Sequence, residues 1–280
     1  MTLESRHTDI EGYDVHYWEG GSGFSVLMMH GVGPGTSIMG NFEPAMAPLA
    51  ERYHLFATDL IGFGESARKT EEPYFDVELW VRQGLAMLDL MPDGPCGVAG
   101  HSMGGAIALK IAAASDRVTH VLTSSTVGTS YPLTNALDAF WTLPADRTEL
   151  RAAMENMMFD PGAVTEPMIE GRWNLLAQNG YAEFFSVMFG GDRQRYIDAG
   201  VVTDAEFAVL ASKKISLIHG TDDKPCPADQ TTVKLGERLP EATPSAARSS
   251  SASVKTKRAA PQRRSSMTFS SRASRRNIQR

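Results

Sequence analysis

The heptapeptide Ala99-Gly100-His101-Ser102-Met103-Gly104-Gly105 decides the reading of this chain. Ahead of it, Cys96-Gly97-Val98-Ala99 has the apolar content of a short buried strand, and Gly105 to Ala114 behind it has helical composition. A strand that turns directly into a helix with a serine at the apex needs glycine two positions to either side, because side chains there collide across the bend. Gly100 and Gly104 occupy those positions. Ser102 Oγ is then expected to project above a sheet, close to a helix N-terminus that favours developing negative charge. A bare glycine-lined turn is the competing reading, and the strand before and helix after it argue for a nucleophile.

A serine hydroxyl is a poor nucleophile at neutral pH, so the reading requires a base, an acid to orient that base, and an oxyanion hole. Phe24 to Met29 is a continuous apolar run, as in a central strand buried on both faces, and it ends in His30-Gly31-Val32-Gly33-Pro34-Gly35. Such a bend exposes main-chain N–H groups, and the Val32 amide is the best candidate to pair with the Met103 amide at an oxyanion. The bend lacks the Lys-Ser/Thr ending of a phosphate loop and the three-glycine spacing of a dinucleotide site. The acid is expected late, where the strand Ile215-Ser216-Leu217-Ile218 leads into His219-Gly220-Thr221-Asp222-Asp223. Asp223 fits a Gly-x-x-Asp spacing, and Asp222 reads as a solvated turn residue.

Three segments together resemble the α/β-hydrolases, and among them the meta-cleavage product hydrolases that cut carbon–carbon bonds in ring-opened catechols. They are the bend from His30 to Gly35 followed by Asn41, the elbow Ser102-Met103-Gly104-Gly105, and Val164-Thr165-Glu166 followed by Gly171-Arg172-Trp173. The resemblance runs from about residue 10 to residue 240. It implies a mostly parallel, doubly wound sheet with a helical cap inserted after the sixth strand. It also implies Ser102 and Asp223 as catalytic residues, Val32 and Met103 as the oxyanion hole, and Asn41, Arg172, Trp173, Gly31 and Gly33 as substrate-binding residues. No metal or organic cofactor is implied. The substrates of such enzymes are anionic dienoates, and a planar guanidinium such as that of Arg172 can hold a carboxylate bidentately. His101 is a departure, since the meta-cleavage enzymes usually carry asparagine before the serine, and Gly-His-Ser resembles general esterases.

A second departure concerns the base. A triad of this type takes its histidine from beyond the acid, yet His7, His16, His30, His54, His101, His120 and His219 all precede Asp223. Composition changes at the same place. Residues 241–280 hold ten Lys or Arg, one acidic residue and ten serines, with only Val254, Met267, Phe269 and Ile278 as large apolar residues. The preceding 240 residues carry 17 basic and 32 acidic groups. A segment like 241–280 cannot bury enough surface to offset its ordering entropy, so disorder is expected there. Its Arg-Ser-Ala-Pro-rich text reads best as a reading frame lost near Pro240, ahead of an inert extension and a basic arm for anionic partners.

The resulting plan is a core domain in two parts, 1–131 and 201–240, a helical cap over 132–200, and the tail 241–280. Hydrophobic residues make up 42% of the chain, enough for a sizeable core. No run suits a membrane span, Met1 to Gly12 does not read as a signal peptide, and Cys96 and Cys226 lack metal or disulfide spacing, all pointing to a cytoplasmic protein. Expected partners are a small anionic dienoate and, as an open alternative, a second copy of the chain, with neither nucleic acid nor membrane. The functional expectation is serine-dependent C–C bond hydrolysis, impaired by the missing histidine. A carboxylesterase or lactonase on the same scaffold and a non-catalytic binding protein are the alternatives.

Overall fold

The computed structural model describes residues 3–239 and 241–247. Strands β1 (Glu4–Ile10) and β2 (Tyr13–Gly21) form an N-terminal hairpin. Glu11 and Gly12, at φ +53° and +83°, close it in two residues. Then come β3 (Phe24–Met29), α1 (Ile38–Ala50), β4 (Tyr53–Thr58), α2 (Val77–Asp89), β5 (Cys96–His101), α3 (Met103–Ala114) and β6 (Val118–Ser124). A run of helices follows: α4 (Asn135–Phe140), α5 (Arg147–Met157), α6 (Glu166–Leu176), α7 (Tyr181–Met188), α8 (Gln194–Ala199) and α9 (Asp204–Leu210). The chain returns to the sheet in β7 (Lys214–Gly220), then α10 (Thr232–Arg238) and β8 (Thr243–Ala247).

The eight strands make one sheet in the order β1-β2-β4-β3-β5-β6-β7-β8. β2 is antiparallel to β1 and β4, and all other neighbours are parallel. Successive residues of a strand point to opposite faces, and the buried residues divide accordingly. Met29, Phe56 and Val98 pack with Trp80, Met87, Ile107 and Ile111 of α2 and α3, whereas Met28, Leu55, Ala57 and Ala99 pack with Ile38, Met46 and Ala50 of α1. Asp76 accepts from the Leu79 N–H at 2.9 Å and Ser37 from the Gly40 N–H at 3.1 Å, which fixes where α2 and α1 begin.

The helical insertion after β6 is joined to the core through an aromatic cluster. Phe75, on the core side, lies 4.3 Å from Tyr196 and 5.5 Å from Phe189, whose ring in turn is 5.5 Å from Trp141, measured between centroids. Phe189 is therefore part of this packing.

Strand β8 falls within the stretch whose composition argued against order. It pairs in parallel register with β7, Ser216 opposite Thr243 through Gly220 opposite Ala247. Main-chain pairing with a free sheet edge asks little of side-chain identity, which is why composition gave no signal. The expected disorder of the remaining tail concerns 248–280 and lies outside the described residues. On the α1 side of the sheet, Leu122 of β6 and Ile218 of β7 are 41% and 37% exposed. No helix among the described residues is long and apolar enough to cross a membrane.

Candidate active site

Ser102 sits between β5 and α3 at φ +54°, ψ −121°, a region L-residues rarely adopt. The bend is held from three sides: the Ser102 N–H donates to Ser124 O at 3.0 Å, and Ser102 O accepts from the N–H of Gly105 (3.0 Å) and from Thr126 Oγ1 (3.2 Å). The flanking glycines are sterically required. A Cβ on Gly100 would stand 2.1 Å from Gly104 O, and one on Gly104 would stand 2.4 Å from the carbonyls of Met29 and His30. Ser102 faces a cavity of about 500 Å³ between the sheet and the cap helices.

The bend after β3 forms the floor opposite. His30, fully buried, accepts from the Leu60 N–H through Nε2 at 2.9 Å and donates through Nδ1 to Gly31 O at 2.6 Å. Burial lowers its pKa, so the ring is neutral and this tautomer is the consistent one. With Gly31 O turned to His30, the trans peptide sends the Val32 N–H to the opposite side. Asn41 of α1 completes the bend, its Oδ1 accepting from the Gly31 N–H at 2.9 Å. Neither the Val32 N–H nor the Met103 N–H, first in α3, donates to another group among the described residues. They are available as a pair.

Arg172, on α6, reaches down to this bend. Its Nη1 donates to Pro34 O and Thr36 Oγ1, both at 2.9 Å, and the guanidinium lies 5.6 Å from the Phe140 ring centroid. Among the described residues it has no acidic partner. Burial brings its pKa down to about 10, so it remains a cation at neutral pH. The approach depends on Gly35, at φ +59°, where a Cβ would lie 2.2 Å from Arg172 O. Gly31, Val32, Asn41, Ser102, Arg172 and Asp223 all line the one cavity, with Met154, Met157, Met158 and Phe159 supplying an apolar wall.

Two of the residues read as substrate-binding are elsewhere. Trp173 follows Arg172 on the helix, so it projects about 100° away and packs against the main hydrophobic core. Gly33 is backed by Phe140, whose Cε1 would be 2.1 Å from a Cβ there.

Asp223 lies at the other end of the cavity. Its Oδ1 accepts from the Cys226 N–H at 2.8 Å, and its Oδ2 is 3.3 Å from His219 Nε2. His219 is engaged at both nitrogens: Nε2 donates to Cys226 O at 2.6 Å and Nδ1 meets Thr232 Oγ1 at 2.5 Å. It braces the acid loop. Cys226 faces Ser102, and burial pushes its thiol up to about 12, so it is neither thiolate nor base at neutral pH. His101 also lines the cavity. Its Nδ1 donates to Ser124 O at 3.1 Å, which leaves the Nε2 lone pair without a protein partner among the described residues, and burial lowers its pKa. Sequence reasoning missed this because side chains flanking an elbow usually diverge; the signal was a titratable ring at a strand terminus.

The alpha/beta hydrolase family matches residues 26–256. The chain belongs to that family. It is 31% identical over 232 residues to the 2-hydroxymuconate semialdehyde hydrolase of Pseudomonas sp. (strain CF600), covering 82% of this chain and 81% of that one. It is 29% identical over 229 residues to the 2-hydroxy-6-oxo-2,4-heptadienoate hydrolase of Pseudomonas putida (strain F1), covering 81% and 82%. Among solved structures, a meta-cleavage product hydrolase (CumD) superposes with a TM-score of 0.80 at 28% identity, covering 86% of this chain and 88% of that one. This hydrolase shares its sheet, cap and elbow with the architecture the resemblance implied.

Proposed function

We propose that this hydrolase cleaves the C–C bond of ring-fission products of the 2-hydroxy-6-oxohexa-2,4-dienoate type. The observation that carries the reading is Arg172: a desolvated guanidinium, unopposed by any carboxylate among the described residues, faces the same cavity as a strained elbow serine. Nη1 has used both of its N–H groups on Pro34 and Thr36, so Nε and Nη2 remain as a side-on fork for a carboxylate. The dienoate ketonises to create an electron sink, and Ser102 attacks the distal carbonyl or activates water upon it. The resulting oxyanion is stabilised by the Val32 and Met103 N–H groups. C–C scission gives a carboxylic acid and a 2-hydroxydienoate.

The Ser102 proton needs an acceptor, and no histidine follows Asp223 in the 280 residues. We infer slow turnover by this chain, with ligand binding intact. The two buried, unpaired cysteines, Cys96 and Cys226, support a cytoplasmic setting as part of this proposal. The test is spectral titration of a coloured ring-fission product into Ser102→Ala protein, alongside turnover of that product and of a nitrophenyl ester by the unaltered chain. Saturable binding with any C–C cleavage supports the proposal. Ester hydrolysis with no affinity for the dienoate replaces it by an esterase reading.

A further inference from the structure

Far from Ser102 along the sheet, the N-terminal hairpin meets the loop after β4. His7 on β1 stands directly opposite His16 on β2, so both rings are on one face, with centroids 5.1 Å apart. Glu65 approaches from the loop, and one nitrogen of each imidazole and a Glu65 carboxylate oxygen lie within 4.8 Å of one another. Each imidazole also has a carboxylate behind it. His16 Nδ1 donates to Asp59 Oδ2 at 2.8 Å, and His7 Nδ1 to Asp14 Oδ1 at 3.0 Å.

A carboxylate on Nδ1 fixes the tautomer, turns the ring and leaves Nε2 as the basic nitrogen, which is the support that metal-ligating histidines receive. Asp59 is itself immobilised, accepting from the N–H groups of Ile38 (2.6 Å) and Glu65 (3.1 Å). His16 is buried, whereas His7 and Glu65 are exposed, so the cluster opens to solvent on one side. Two imidazoles and one carboxylate suit a borderline d-block dication, and three protein ligands leave a tetrahedral ion one water position.

We propose that His7, His16 and Glu65 bind a zinc ion that ties the β1–β2 hairpin to the loop after β4. The Ser5 hydroxyl, 2.9 Å from His16 Nε2, holds the ligand position and is displaced on binding.

The probes are Zn²⁺ in calorimetry and Co²⁺ in visible absorption, with the untagged full chain. One equivalent is expected to bind, giving tetrahedral cobalt bands of nitrogen and oxygen ligation and raising the thermal midpoint. His7→Ala and Glu65→Gln, both exposed, should each weaken Zn²⁺ binding at least about tenfold, and Asp14→Asn by roughly tenfold through loss of support. Apo midpoints and dienoate affinity should not change. Absence of saturable binding, binding unaltered by both ligand substitutions, or a thiolate-to-cobalt charge-transfer band placing the ion on cysteine would each overturn the proposal.

Discussion

Replacement of Arg172 should weaken recognition of the substrate carboxylate. The side chain offers two free donor directions, Nε and Nη2, once Nη1 is committed to Pro34 and Thr36. A charge-assisted hydrogen bond contributes about 1.5–3 kcal/mol, so losing a bidentate pair costs the complex about 3 kcal/mol. At roughly 1.4 kcal/mol per decade, that is an increase in Kd of about 10². Arg172→Lys keeps a point charge but not the fork and should lose roughly tenfold. Folding should hardly suffer, since removal of a buried cation without an acidic partner also removes its desolvation penalty. The assay is spectral titration in the Ser102→Ala background, which prevents turnover, with thermal melts as the control. A neutral amide of the same dienoate is the second control, because its affinity must not depend on Arg172. Less than threefold loss for the dienoate, or equal loss for dienoate and amide, would refute the argument.

Three further outcomes are expected. Steady-state turnover of the dienoate should fall roughly 10²–10⁴-fold below that of relatives bearing a general base; added imidazole should recover part of it, and turnover equal to theirs would show that a resident group, His101 foremost, takes the Ser102 proton. Gly100→Ala, which sets a methyl 2.1 Å from Gly104 O, should cost roughly 3 kcal/mol in denaturant melts; an unchanged midpoint contradicts the elbow geometry. For pH, His30 and His101 lie below their usual 6.5 because burial disfavours the charged ring, so the unfolded chain takes up protons they refuse and stability falls as pH drops through 6.5. Burial also opposes protonation of His16, but the Asp59 hydrogen bond and the charges of Asp59, Glu65 and Asp14 together outweigh it and raise the ring, adding stability that is present below 6.5 and lost as pH rises through the folded value. The His30 and His101 contributions should make the thermal midpoint decline as pH drops through about 6.5, and a midpoint that rises on acidification would show the opposing His16 contribution to be the larger.

Much of the architecture was legible because its signals are local. An apolar run predicted β3 over Phe24 to Met29, the strand observed. The elbow was readable because glycine spacing and strand-to-helix context report the same constraint. Contacts between distant segments were not legible. Nothing in the text near Asn41 says that its carbonyl fixes the Gly31 N–H, or that Asp59 gathers His16, Ile38 and Glu65. Helical phase separates Trp173 from Arg172, a distinction that a motif written as adjacent letters conceals. The pairing of β8 was hidden for a different reason: edge hydrogen bonds are made by the backbone that all residues share.

The contact between Gly35 and Arg172 makes roof and floor interdependent. Raising α6 would detach the guanidinium from Pro34 and Thr36, the loop that also carries the Val32 amide. Any opening motion that lifted α6 would therefore leave the oxyanion cradle without its outer buttress. A carboxylate that held the guanidinium down would keep that buttress in place, so a neutral molecule of similar shape would stabilise the assembled catalyst less.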